Sequence, residues 1–202
     1  MNNFLVRSLY ALILMLVVMP ALAIEDPVAL VKQTSERVLH EVSSRKQELT
    51  ASPGKIYGLV DNIVLPRFDF ARMSRLVLGK HWRQASGQEQ HEFVEEFREL
   101  LVRTYASALL NYSGQEIKYL PARLVEGATE VTVNTEVSEK GAPAVPINYN
   151  LYLDGNSWKV FDVVIDGVSL VSNYRSSFNT QIRRYKIEGL IASLKERNQQ
   201  GK

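Results

Sequence analysis

The spacing of apolar residues changes at Gly114, and no other feature restricts this chain's fold as much. Before Gly114 the apolar positions recur at about 3.6 residues, the period of an amphipathic helix. Beyond it they alternate, as in strands with one covered face. Asp26-Pro27 predicts a helix start, with Asp as cap and Pro at the first helical position, running to about Gln47. Ile56, Leu59, Val60, Ile63 and Val64 predict a second helix, stopped by Pro66. Asp69 is the predicted cap of a short helix ending at Leu78, with Gly79 closing it. Ser86 and Glu89 form a capping box that opens the longest helix, to about Asn111. Its stripe is Phe93, Phe97, Leu100, Leu101, Tyr105, Ala108 and Leu109.

Four strands are predicted after Gly114. Gln115–Val125 reads as an edge strand because Pro121 cannot donate to a ladder. A turn at Glu126-Gly127 leads to the alternation of Val131, Val133 and Val137. A turn at Lys140–Pro143 leads to Val145, Ile147, Tyr149, Leu151 and Leu153. Asp154-Gly155-Asn156 turns the chain into Trp158–Ile165, apolar on both faces and so central or doubly covered. Short turns between consecutive strands imply an antiparallel meander. Helices are predicted again over Val168–Arg184 and from Ile187 to Arg197. The expected fold class is α+β, a twisted antiparallel sheet of about four strands with N- and C-terminal helices packed on it.

Residues 1–23 stand apart from this pattern. Arg7 is followed by an apolar run from Leu9 to Met19 and by Ala21-Leu22-Ala23, the order of a secretory signal peptide. The run is short for a membrane span, which needs about 20 residues. Cleavage is expected after Ala23, leaving one domain over residues 24–202 in an exported protein. With no cysteine, the chain has no disulfide framework, thiolate metal site or cysteine nucleophile. With 24 Lys+Arg against 22 Asp+Glu it lacks the basic excess of a general nucleic-acid coat.

Patterns that carry catalysis are missing. His91-Glu92 has Glu95, not His, four positions after His91, so the zinc-protease spacing fails. Ser43–Lys46 matches Ser-x-x-Lys but lacks the partner motifs of acyl-transfer enzymes. No nucleophile elbow, Walker loop or dinucleotide fingerprint is present. Asp162 and Asp166 on one strand would stand about 13 Å apart, beyond the ~5–9.5 Å of glycosidase pairs. Asp162 is expected to bond backbone or an arginine, and Asp166-Gly167 to turn the chain.

Apolar surface remains. The sheet offers Val131, Val133, Val145, Ile147, Tyr149, Leu151, Phe161 and Val163. The helices oppose it with Phe68, Phe70, Met73, Leu76, Tyr105 and Leu109. Those fourteen residues are the candidate lining of an apolar cavity. An ordinary filled core, and so a scaffold domain, fits the same pattern. A third reading is an enzyme acting on an apolar ligand, with His81, Asp162 and Arg175 as its polar groups. Arg175, Arg183, Arg184, Lys186, Lys195 and Arg197 also make the C-terminal part basic, against Glu188 and Glu196. An acidic partner or anionic head groups would suit that surface.

Several separated blocks then resemble one family. They are Leu59–Phe70, Leu78–Arg83 followed by Phe93, Phe97, Leu100-Leu101 and Tyr105-Ala106, and Trp158–Ser169 with Asn173-Tyr174-Arg175 and Phe178. Gly189-Leu190-Ile191 with Leu194-Lys195 completes the series. In this order they look like the MlaC family, the toluene-tolerance auxiliary proteins. The resemblance implies a nuclear-transport-factor-like core enclosing an apolar cavity, with no catalytic residue, metal or cofactor. It implies a monomeric periplasmic carrier whose ligand is a phospholipid. Its implied partners are an outer-membrane lipoprotein–porin complex and an inner-membrane MCE-domain ABC transporter, between which lipid moves to maintain outer-membrane asymmetry. Physical chemistry suits such a role. About 30 methylenes of a diacyl lipid, at ~0.8 kcal/mol each, cost about 24 kcal/mol in water. A carrier must therefore enclose the tails and needs few polar contacts.

Overall fold

The structure is a computed structural model that describes residues 24–125 and 127–200. The predicted signal peptide at 1–23 and Glu126 of the predicted turn lie outside the described residues. Helix α1 spans Pro27–Ser44, and Asp26 Oδ1 accepts from the Ala29 amide at 2.8 Å, as the cap reading expects. A short α2, Lys46–Ala51, carries the chain to α3, Lys55–Ile63. A single 3₁₀ turn at Leu65–Arg67 holds Pro66. Helix α4, Phe70–Leu78, starts on the Asp69 side chain, which accepts from the Arg72 amide. It ends at Gly79, whose φ of 55° and ψ of −119° suit a residue without Cβ. A 3₁₀ turn, Gly79–Arg83, precedes α5, Gly87–Leu110, opened by the Ser86/Glu89 capping box.

The sheet has five strands in sequence order, all antiparallel: β1 Glu116–Tyr119, β2 Glu130–Ser138, β3 Val145–Asp154, β4 Ser157–Ile165 and β5 Val168–Ser169. The meander is as expected, with one strand more. Asp166 and Gly167 take φ of 49° and 78°, a two-residue reversal that returns the chain to β4 before any helix begins. Val168 and Ser169 are therefore strand, and the helix predicted from Val168 starts at Leu170. At the other edge β1 stops at Tyr119, two residues before Pro121, rather than running to Val125. Helix α6, Leu170–Gln200, is broken at Lys186, φ 58° and ψ −174°, where the sequence reading separates two helices.

Strand β4 is covered along both edges. It pairs with β3 on one side and with β5 on the other. Beyond β5 the Phe68 backbone runs parallel to Val160, and the Asp69 amide donates to the Val160 carbonyl at 2.9 Å. Opposite Asn150/Leu151 the β3–β4 register shifts by one residue. Val163 and Ile165 face one side of the sheet, and beyond the shift Val160 and Trp158 continue that face. Phe161 is the extra residue and turns to the other side. A bulge inverts the parity of everything beyond it, so Phe161 and Val163 do not share a face as their spacing predicts.

Three apolar clusters hold the fold. In the helical core, Phe93, Phe97, Phe178 and Leu190 pack with Met73, Val77 and Leu194 from α4, α5 and α6. A second joins α1, α2 and α3 to α5 through Val42, Leu49, Ile56, Leu59 and Val102. The third lies on one face of the sheet, where Val133, Leu151, Val160 and Val163 meet Leu30 and Val31 of α1.

Candidate functional site

The register places Val131, Val133, Ile147, Tyr149, Leu151 and Val163 on the sheet face that looks at α1. Tyr105 of α5 and Phe68, beside β4, are half-buried and pack against both this face and the helical core. They form a seam where the two cores meet. Eight of the fourteen residues expected to line a cavity thus come together.

The other six go elsewhere. Met73 is buried in the helical core, with Phe70, Leu76 and Phe161 packed at its margin. Leu109 packs with the α1–α3 cluster. Val145, at the start of β3, is 42% exposed. Sequence reasoning missed Leu30 and Val31 of α1 and Trp158 and Val160 of β4, all buried on the sheet face. The signal for the last two was present. Trp158, Val160, Val163 and Ile165 are spaced two, three, two, and the three-residue step marks the bulge.

Four tyrosines give this region its polar character. Ser35 of α1 stands near the hydroxyls of Tyr119 and Tyr149, and Tyr174 near that of Tyr105. Burial pushes the Tyr149 hydroxyl up to about 12, with Tyr119 adding to the effect. Burial, then the neighbouring Tyr174, pushes Tyr105 up to about 12. The seam thus pairs apolar walls with neutral hydroxyls, suited to holding chains that need no ionic partner.

The opposite face differs in kind. A hollow of about 760 Å³ is lined there by Pro121, Ala122, Arg123, Glu130, Thr132, Asn134, Asn150 and Phe161, with Val131 and Leu151 at its floor. Thr132 donates to Asn150 Oδ1 at 2.8 Å within it. The Arg72 guanidinium lies 4.0 Å from the Tyr152 ring and 4.4 Å from the Phe161 ring, and pairs with Glu130 at 2.5 Å. The Tyr152 hydroxyl donates to Asp69, tying the start of α4 to β3. The cavity was expected between sheet and helices, whereas this hollow is on the polar face, where short Thr and Asn side chains leave space.

The groups of the enzymatic alternative are engaged separately. Asp162 is buried, accepts from Ser169 Oγ at 2.6 Å and from the Val171 amide at 3.0 Å, and so caps α6. His81 lies 3.1 Å from Asn179 Oδ1 and 3.2 Å from Gln84 Oε1. Arg175 packs on Gly79. Among the described residues no group of three or more His, Cys, Asp or Glu could hold a metal, and no helix is long and apolar enough to cross a membrane.

An antiparallel five-stranded meander with helices packed on it, and two apolar cores that meet at half-buried aromatics, defines an α+β domain. The chain belongs to the MlaC protein family, whose model matches residues 32–196. It is 26% identical over 176 residues to the toluene tolerance protein ttg2D of Pseudomonas putida, covering 86% of this chain and 81% of that protein. It is 24% identical over 190 residues to the intermembrane phospholipid transport system binding protein MlaC of Haemophilus influenzae, covering 93% and 89%. Among solved structures it resembles the phospholipid-binding protein from Ralstonia solanacearum in complex with a phospholipid. The TM-score is 0.81 and the identity 34%, over 88% of this chain and 99% of that one.

Proposed function

We propose that this protein is a periplasmic phospholipid carrier. The observation that carries the reading is the seam at Phe68 and Tyr105, where apolar walls from two cores stay half-buried. Its fold matches, at 34% identity, a protein whose structure contains a phospholipid. The acyl tails enter the seam between the sheet face and α1 and α5, and the head group stays outside. The polar demand is small because the transfer cost of the tails, about 24 kcal/mol for some 30 methylenes, resides in carbon.

The signal sequence exports the chain, which acts as a monomer after cleavage at Ala23. Its exchange partners are the outer-membrane lipoprotein–porin complex and the inner-membrane MCE-domain ABC transporter, and its role is to maintain outer-membrane asymmetry. It needs no metal or cofactor and performs no bond chemistry. Native mass spectrometry of the purified mature chain tests the reading, with phospholipid expected at defined stoichiometry. A chain that carries none, and takes up none from vesicles, is not a carrier.

A further inference from the structure

We infer that the chain also carries, apart from the seam, a basic face that seats on the anionic head-group layer of a membrane. Several cations elsewhere on the described surface have acidic neighbours: Lys32 with Glu36, Arg45 and Lys55 with Glu48, Arg98 with Glu95, Lys118 with Glu136. Lys195, which the sequence placed in the basic C-terminal surface, pairs with Glu92 at 2.6 Å. Arg197 lines a separate hollow of about 210 Å³ with Tyr57 and Arg103. Both leave the candidate surface.

Five other cations come together from three elements. Arg75 ends α4, Lys80 and Arg83 stand on the 3₁₀ turn, and Arg175 and Arg183 lie on α6. All five are exposed. Two contacts weld these elements into one face. The Arg175 guanidinium lies against Gly79, its Nη2 3.0 Å from where a Cβ would stand, and His81 meets Asn179 at 3.1 Å. Arg175, Asn179 and Arg183 are four residues apart on one flank of the helix. None of the five has a carboxylate partner within 4.0 Å among the described residues. The acids nearby are occupied or few. Glu89 accepts from the Ser86 amide, Glu92 holds Lys195, and Glu188 stands beyond the break at Lys186.

Beside the α6 cations on the helix surface stand Ser172, Ser176 and Thr180, exposed and polar. A specific protein interface has an apolar centre, and this face has none. Its aromatic groups fit a lipid–water boundary instead. The Trp82 ring lies 5.7 Å from the Arg75 guanidinium, and Tyr185 is 64% exposed beside Arg184 and Lys186. Unpaired cations flanked by amphipathic rings match anionic head groups, each cation strengthening binding roughly fivefold.

The test sediments the mature chain with vesicles of phosphatidylcholine alone and of phosphatidylcholine mixed with phosphatidylglycerol. Binding is expected only to the mixed vesicles and weakens as salt rises. The double variant Arg175→Glu/Arg183→Glu is expected to bind on the order of a hundredfold less. Lys80→Glu/Arg83→Glu, on a separate element, is expected to do the same. Lys140→Glu, on the turn between β2 and β3, leaves binding unchanged. A wild type that ignores the mixed vesicles, or binds both kinds equally, overturns the inference. So does a wild-type level in either double variant, or an equal loss in Lys140→Glu. Binding to polyglutamate in place of vesicles overturns it in favour of an acidic protein partner. Circular dichroism checks that the variants are folded. Native mass spectrometry of the same variants separates this inference from the carrier reading. Retained phospholipid with lost vesicle binding supports the basic face and leaves the carrier intact, whereas missing lipid with vesicle binding kept counts against the carrier alone.

Discussion

The helical core and the sheet-facing seam are built from similar residues but packed to different ends. In the helical core Phe93 and Phe97 are 0% exposed and Phe178 is 3% exposed. Their rings meet at 5.6 to 6.0 Å in stacked and edge contacts, with Tyr174 at 5.3 Å from Phe97. Along the seam Phe68, Tyr105, Val131, Ile147 and Tyr149 keep part of their surface uncovered. One region spends its aromatic area on closing the fold, and the other keeps apolar area in reserve. The same residue types therefore serve stability in one place and, on the proposed carrier reading, ligand contact in the other.

The largest expected effect breaks the first half of that comparison. Phe97→Ala removes a ring at the centre of the helical core and is expected to lower stability by about 3–5 kcal/mol. Against a typical 5–15 kcal/mol this brings the domain near unfolding. Urea denaturation measures it. The phospholipid content per folded molecule should stay at the wild-type level.

Asp162 joins the two regions. Its carboxylate leaves β4 to receive the Ser169 hydroxyl and the Val171 amide, fixing the start of α6 against the sheet. Asp162→Ala strands the buried Val171 amide and the half-buried Ser169 hydroxyl and is expected to cost about 1–3 kcal/mol. The loss should show as a lower denaturation midpoint, with faster amide exchange concentrated at Leu170 and Val171. Uniform exchange along the chain would mean that the carboxylate does not hold the joint.

Tyr105→Ala sharpens the other half. The side chain is half-buried, so its removal is expected to cost only about 1–2 kcal/mol. Lipid uptake from vesicles should fall several-fold even so. Equal loss of stability and unchanged uptake would show the seam to be ordinary core.

How much of this was legible depended on how local the determining physics is. The caps at Asp26, Asp69 and Ser86 and the reversal at Asp166-Gly167 were readable because each is set by adjacent residues. The meander followed from its short turns. What failed was parity. The bulge at Phe161 inserts one residue into β4, next to the point where the Asp69 amide donates to the Val160 carbonyl from a segment remote in sequence. Alternation continued through that point assigned Phe161 to the face of Val163 and passed over Trp158 and Val160. The extra strand β5 escaped for a related reason. Two residues carry no period, and only the turn before them signals the pairing. The shared face of Val131, Val133, Ile147, Tyr149 and Leu151 was legible for the converse reason: an unbroken alternation carries its own face assignment. No periodicity distinguishes a side chain that is covered from one that is half covered, and on that difference the seam depends.

The smallest expected effect uses the hydroxyls to tell the seam from bulk core. An unperturbed tyrosine ionises near 10, whereas burial raises Tyr149 and Tyr105 to about 12. The folded state thus binds these protons more tightly than the unfolded one. Their contribution to stability is intact below the ordinary value near 10 and is lost as the pH climbs toward about 12. Folding free energy should therefore decline across that window, and Tyr149→Phe, which removes one titrating group, should make the decline shallower. Denaturation midpoints of wild type and variant, measured at several alkaline pH values, test this. Parallel declines would mean that Tyr149 reaches solvent in the folded chain.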